Sequence, residues 1–231
     1  MTDDGDDSHA GRPAGRRAAR LGSARSPAPR LHAPRHRARA TRTAGRRMRS
    51  RLLDTASALF KAHGLGGASI GAIAAAADAF PSQVTYYFGT KEALFVEAAC
   101  RDMLHIAGRV EKAGARARTP EAYARALVDT VVGADGLPFF IEALSLTRQR
   151  SDLAPHIART FERLHVEGAR AYAGEMARHG WRTVNPSDVS ARRFWTLALG
   201  IALEGHATGR SPAEMSAAMR EALGVLAEAP R

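Results

Sequence analysis

Residues 69–88, Ser-Ile-Gly-Ala-Ile-Ala-Ala-Ala-Ala-Asp-Ala-Phe-Pro-Ser-Gln-Val-Thr-Tyr-Tyr-Phe, leave few folds open. Ile70, Ile73, Ala74 and Ala77 recur at i, i+3, i+4 and i+7, one face of a short helix. Pro81 fits the first turn of a second helix, where its missing N–H costs nothing. Val84 and Phe88 lie four apart and form the inner face of that second helix. Ser82, Gln83, Thr85, Tyr86 and Tyr87 then face outward. Two short helices joined by a tight turn make a helix-turn-helix. In that layout the second helix enters the DNA major groove by its N-terminal end.

The flanks make the motif more specific. Upstream stands Arg51-Leu-Leu-Asp-Thr-Ala-Ser-Ala-Leu-Phe-Lys-Ala-His-Gly64, and downstream Val84-Thr-Tyr-Tyr-Phe-Gly-Thr-Lys-Glu-Ala-Leu-Phe95. In the order and spacing of these four helix signatures, residues 46–99 resemble the tetracycline-repressor (TetR) family of bacterial regulators. The chain departs from the family pattern in three places. Asp78 stands where a turn glycine is usual, and Asp tolerates left-handed backbone better than most residues. Phe80 stands where a Ser cap is usual, so Ser82 is expected to cap and to start the helix later. Thr85 stands where Tyr is common.

The resemblance implies an all-α protein in two parts. Residues 46–92 would form a three-helix DNA-binding domain, and residues 93–231 a helical effector-binding and dimerisation domain. It further implies a cytoplasmic homodimer that binds double-stranded DNA. That dimer would be a repressor, released from a palindromic operator by a small-molecule effector. The candidate DNA contacts are Ser69, Ser82, Gln83, Thr85, Tyr86, Tyr87 and Lys91. Gln pairs best with adenine, which makes Gln83 the first choice for base readout. The family's tyrosines and helix-four lysine grip phosphates, a role carried onto Tyr86, Tyr87 and Lys91. A cation at the start of a helix opposes the helix dipole, and a bound phosphate there would resolve the conflict.

Charge and composition narrow the alternatives. The formal net charge is +11, of which residues 1–45 contribute +6 through ten Arg and four Asp. That segment holds almost no large apolar residues and is expected to be disordered. It reads as a DNA-backbone-binding arm, as a solvated tail, or as an extension from an upstream start codon. The basic balance favours a polyanion partner. Cys100 is the one cysteine, so no intramolecular disulfide can form; its plain reading is a small buried group. The longest apolar run, around Phe194 to Leu203, falls well short of the roughly 20 residues of a membrane span. Arg16-Arg17 is followed by no apolar region, which argues against an export signal.

Helix signals continue to the C-terminus. The first helix is read from about Arg46 to His63, with a stripe of Met48, Leu52, Ala56, Leu59 and Phe60. Ser69 and Thr90 are N-caps. Further helices are read over 121–132, 137–150, 155–179, 188–206 and from Ser211-Pro212-Ala213-Glu214, a capping box with Pro at N1. No strand is expected.

Residues 194–203 are apolar nearly all round, so they should be covered on more than one side. With the last helix they resemble the family's dimer interface, here Trp195, Leu199, Leu203, Met219 and Leu226. Phe139, Phe140, Phe161, Tyr172, Trp195 and Met176 are large side chains on several helices. Large apolar residues are usually core; the resemblance makes these six the candidate ligand pocket. No metal is expected, because Glu162-x-x-His165 is a single unit where a di-iron bundle needs two. No cofactor or enzymatic activity is expected either. Gly67-Ala-Ser-Ile-Gly71 matches a nucleophile elbow literally, but no strand precedes it. The rival readings are a constitutive DNA-binding protein without an effector and a helical enzyme. A ligand-sized cavity argues against the first, and an apolar one against the second.

Overall fold

Helix starts in this chain are fixed by short side chains that accept from otherwise unpaired N–H groups. A computed structural model describes residues 35–224 and 227–228. In it Ser69 Oγ accepts from Ala72 N at 3.0 Å and Thr90 Oγ1 from Ala93 N at 3.1 Å. Thr119 Oγ1 accepts from Ala122 N at 3.2 Å. Ser211 and Glu214 complete the reciprocal box, with Glu214 Oε2 accepting from Ser211 N at 2.8 Å. These caps open four of the nine α-helices among the described residues. The first four are α1 (Arg35–Gly67), α2 (Ile70–Ala76), α3 (Pro81–Phe88) and α4 (Lys91–Gly114). The rest are α5 (Pro120–Val132), α6 (Gly136–Leu146), α7 (Ala154–His179), α8 (Ser187–Thr208) and α9 (Pro212–Leu223). The all-α expectation holds.

Four expectations about boundaries are corrected. Helix α1 begins at Arg35, not near Arg46, and bends at Gly64, whose φ of 66° lies in the left-handed region that glycine tolerates. The expectation that the tail is disordered otherwise concerns residues 1–34, which lie outside the described residues. Helix α6 stops at Leu146 instead of reaching Arg150. There Arg150 pairs with Asp152 at 2.8 Å and with Glu92 at 3.5 Å, and a 3-10 turn (Ser151–Leu153) leads into α7. Ser82 does not cap α3; Phe80 is the N-cap residue, and Gln83 Oε1 accepts from its N–H at 2.9 Å. Finally, two two-residue strands exist, β1 (Arg182–Thr183) and β2 (Ala227–Glu228), paired antiparallel. They are too short and too polar to show period-two alternation.

The helix-turn-helix packs as its periodicity requires. Ile73, Ala74, Ala77, Val84 and Phe88 are buried. Asp78 adopts φ 46°, and Arg51 donates to its carbonyl at 2.8 Å, which holds the turn. Below it lies an aromatic nucleus. Phe95 of α4 meets Phe60 of α1 and Phe139 of α6 edge to face, with centroids 5.0 and 4.8 Å apart. Such pairs add about 0.5–1.5 kcal/mol each beyond area burial. A polar layer flanks it. Ser57 Oγ donates to Asp102 Oδ2 at 2.6 Å, while Lys61 Nζ reaches Asp102 at 3.2 Å and Asp135 at 3.0 Å. Helix α1 is therefore tied to both α4 and α6. Cys100 is buried on α4; burial pushes its thiol above the ordinary range, and the Thr160 hydroxyl partly offsets this.

Candidate functional site

The outward face of α3 is built by a helix of eight residues that can bury only Val84 and Phe88. Ser82, Thr85 and Tyr86 are exposed; Tyr86 retains 82% of its surface, with its ring edge-on to Tyr87 at 5.0 Å. These three have polar groups that point to no core. The other four candidates on this face are engaged. Gln83 is half-buried and caps its own helix. Ser69 caps α2. Tyr87 is half-buried, and its hydroxyl lies 3.3 Å from where a Cβ on Gly45 would stand. Lys91 Nζ donates to the Ala68 carbonyl at 3.2 Å, tying the start of α4 to the loop before α2. Sequence spacing places a residue on a face but does not show whether its side chain already has a local partner.

Gln83→Ala separates the cap from any contact with DNA. Loss of a cap costs roughly 0.5–2 kcal/mol. The variant should lose thermal stability by that amount. Gln83→Glu, which keeps an acceptor for the Phe80 N–H, should recover it. A fully stable alanine variant would show that the cap contributes nothing.

A cavity of about 120 Å³ lies among α4, α5, α7 and α8. Leu104 and Ala107 of α4, Leu127 of α5, Leu164 and Tyr172 of α7, and Trp195 of α8 are among its walls. Of the six residues expected there, Tyr172 and Trp195 line it. Phe139 belongs to the aromatic nucleus with Phe95, and Phe140 packs edge to face on Phe161 with centroids 5.8 Å apart. Met176 is buried in the core away from the cavity. Small residues on two helices leave part of its space unfilled. Ala107 and Gly108 of α4 and Gly168 and Ala171 of α7 are among its walls. A Cβ on Gly108 would meet nothing within 4 Å. Small residues among the walls were a signal in the sequence, beside the aromatic rings that also line the cavity.

The resemblance places Trp195 at a dimer interface, and the fold places it inside the protomer. It is 3% exposed within one protomer and donates Nε1–H to the Leu164 carbonyl at 3.2 Å. Met219 is likewise fully buried within the protomer. Both face the protein's own core and have no surface to offer a second copy. Leu199 is half-buried and Leu203 is 57% exposed; Leu226 lies outside the described residues. No described helix is long and apolar enough to cross a membrane.

Comparisons with known proteins agree with this architecture. The profile described as "Bacterial regulatory proteins, tetR family" matches residues 52–98, from the second half of α1 to the start of α4. The profile described as "Bacterial transcriptional repressor C-terminal" matches residues 120–227. No curated protein matches the chain. Among solved structures, a transcriptional regulator from Rhodococcus sp. RHA1 is 36% identical. That match covers 77% of this chain and 96% of the other, with a TM-score of 0.69. A TetR-family transcriptional regulator from Mesorhizobium loti shares the fold at 21% identity, covering 78% and 94% of the two chains with a TM-score of 0.61. A transcriptional regulator from Saccharomonospora viridis, solved in complex with choline, does so at 17% identity, 78% and 97% coverage and a TM-score of 0.59. A buried helix-turn-helix, an exposed polar face on its second helix and matches over both halves agree: the chain belongs to the TetR family of bacterial DNA-binding transcriptional regulators.

Proposed function

We propose that this protein is a ligand-responsive repressor that binds a palindromic operator as a homodimer and leaves it when a small molecule enters the cavity. The observation that carries this reading is the course of α4. The helix starts at Lys91, directly after the recognition helix, and lines the cavity from Leu104 to Glu111. One rigid element thus belongs to both parts of the protein, residues 46–92 and 93–231. A ligand that favours one tilt of α4 shifts the population of reading-head spacings. The cavity favours this reading over a constitutive DNA-binding protein, and its largely apolar wall favours it over a helical enzyme.

The dimer is supported by a stripe along α8. Thr196, Gly200, Leu203 and Ala207 are all exposed and spaced four, three and four apart. They form one uncharged face that lets a second helix approach closely. A two-fold dimer presents equivalent recognition helices to half-sites one helical turn apart, about 34 Å.

Selection from random DNA tests the reading. The protein should enrich a sequence with dyad symmetry. Small molecules that lower affinity for that sequence should lose their effect in Gly108→Leu, which puts a side chain into the cavity at a position where a Cβ meets nothing within 4 Å. Enriched sites without symmetry would overturn the dimeric operator. Ligands that still release the Gly108→Leu variant would place the effector elsewhere.

Phosphate contacts are separable by salt. Lys91, Tyr86 and the basic N-terminal segment are proposed to hold the DNA backbone. Log affinity should fall with log salt by about 0.9 for each phosphate neutralised. Lys91→Ala should lower that slope by about one per subunit and weaken all sequences alike. Deleting residues 1–34 should lower it further without changing the preferred operator. An unchanged slope in either variant would remove that segment from the backbone contacts.

A further inference from the structure

The walls of the cavity are rich in aromatic rings, and its ionised groups share one sign. Tyr123 of α5, Tyr172 of α7, and Phe194 and Trp195 of α8 contribute rings. Glu111 of α4 and Glu167 of α7 contribute carboxylates, and no Lys, Arg or His lines the cavity. This is a local reversal in a chain with 34 Lys and Arg against 23 Asp and Glu. Glu111 is exposed, so it stands at the rim. Glu167 is half-buried and also pairs with Arg163 at 3.0 Å. A cleft with one sign of charge and low-dielectric walls focuses its field on whatever enters.

Burial first, and then the charges of Glu175, Tyr172 and Glu111, push the Tyr123 phenol well above its ordinary range. Burial opposes a charge of either sign, and only the carboxylate contribution has the sign that favours a cation. The polar edges of two rings are already satisfied. Trp195 Nε1–H is spent on the Leu164 carbonyl, and the Tyr172 hydroxyl is hydrogen-bonded to Ser190. These rings therefore offer a guest mainly π surface, which attracts cations. An anion entering the cavity would meet two carboxylates and no cationic side chain among the lining residues, the Arg163 guanidinium being held by Glu167.

Resting on the reading of this cavity as the effector site, we infer that the effector is a compact organic monocation, an apolar body carrying one ammonium group. Its size follows from the volume of about 120 Å³. An apolar cavity of about 150 Å³ takes up benzene, so a body near one six-membered ring is the appropriate scale.

Isothermal titration of the full chain with three probes of one shape and different charge decides the matter: cyclohexylammonium, cyclohexanol and cyclohexanecarboxylate. The cation should bind at least about tenfold more tightly than the alcohol, with the carboxylate weakest. Glu111→Gln combined with Glu167→Gln should reduce the preference for the cation and leave alcohol binding unchanged. All binding should disappear in Gly108→Leu, whose fold is checked by circular dichroism. Alcohol or carboxylate binding as tightly as the cation, and abolished by Gly108→Leu, would overturn the cationic class while leaving the cavity as the effector site. Binding by none of the three, or binding that survives in folded Gly108→Leu, would overturn both.

Discussion

Trp195→Glu should unfold the protein, whereas Leu203→Glu, two turns further along the same helix, should leave it folded but monomeric. Trp195 is buried among α7 and α8 with its only N–H already bonded. Removing a buried Trp side chain costs about 3–5 kcal/mol, and a buried unpaired carboxylate adds several more. A total stability of about 5–15 kcal/mol does not survive that sum in most proteins. Leu203 has water on most of its surface, so a charge there costs the protomer little. Placed on a two-fold axis, two such charges would oppose each other. Sedimentation and far-ultraviolet circular dichroism separate the outcomes. Folded, dimeric Trp195→Glu would contradict the burial, and dimeric Leu203→Glu would place the interface elsewhere.

The combined change Ser82→Ala, Thr85→Ala and Tyr86→Ala should abolish operator recognition with no loss of stability. All three side chains are exposed on α3 and hold none of its buried contacts. Contacts of this kind contribute about 1–3 kcal/mol each, so three together amount to at least about a hundredfold in affinity. Non-specific binding through cations should persist and should remain steeply dependent on salt. Fluorescence anisotropy on the selected operator and on scrambled DNA measures both. Equal losses on the two DNAs would mean that these side chains touch only the backbone. An unchanged operator affinity would remove α3 as the reading element.

The course of the helices was legible because several starts carry a cap and the amphipathic stripes keep one period. Ser69, Thr90 and Ser211 cap as their positions predict. Partnership was not legible. Gln83 reads as an outward polar residue, and only the fold brings its amide oxygen onto the Phe80 N–H. Trp195 reads as surplus apolar surface because periodicity cannot tell a helix covered by its own protomer from one covered by a copy. The cavity was misplaced for a related reason. Size marks which residues fill space, whereas a void is made by residues that fail to fill it, such as Gly108 and Ala171. The early start of α1 was hidden by composition: an arginine-rich segment without apolar residues gives no stripe, yet Arg and Ala are both strong helix formers.

The polar layer between α1 and α4 sets the mechanical gain of the molecule. Asp102 receives Ser57 and Lys61, Arg101 grips Asp54 at 2.7 Å, and no glycine interrupts α4 between Lys91 and these residues. The first turns of α4 therefore behave as a stiff arm clamped to the reading head. Thirteen positions separate Lys91 from Leu104, about 20 Å at 1.5 Å per residue. On an arm of that length, a rotation of about 6° carries the far end through about 2 Å. On the proposed mechanism a guest need not push the recognition helix at all. A small change in wall thickness that tilts α4 would arrive at the DNA as a displacement on the scale of a hydrogen bond.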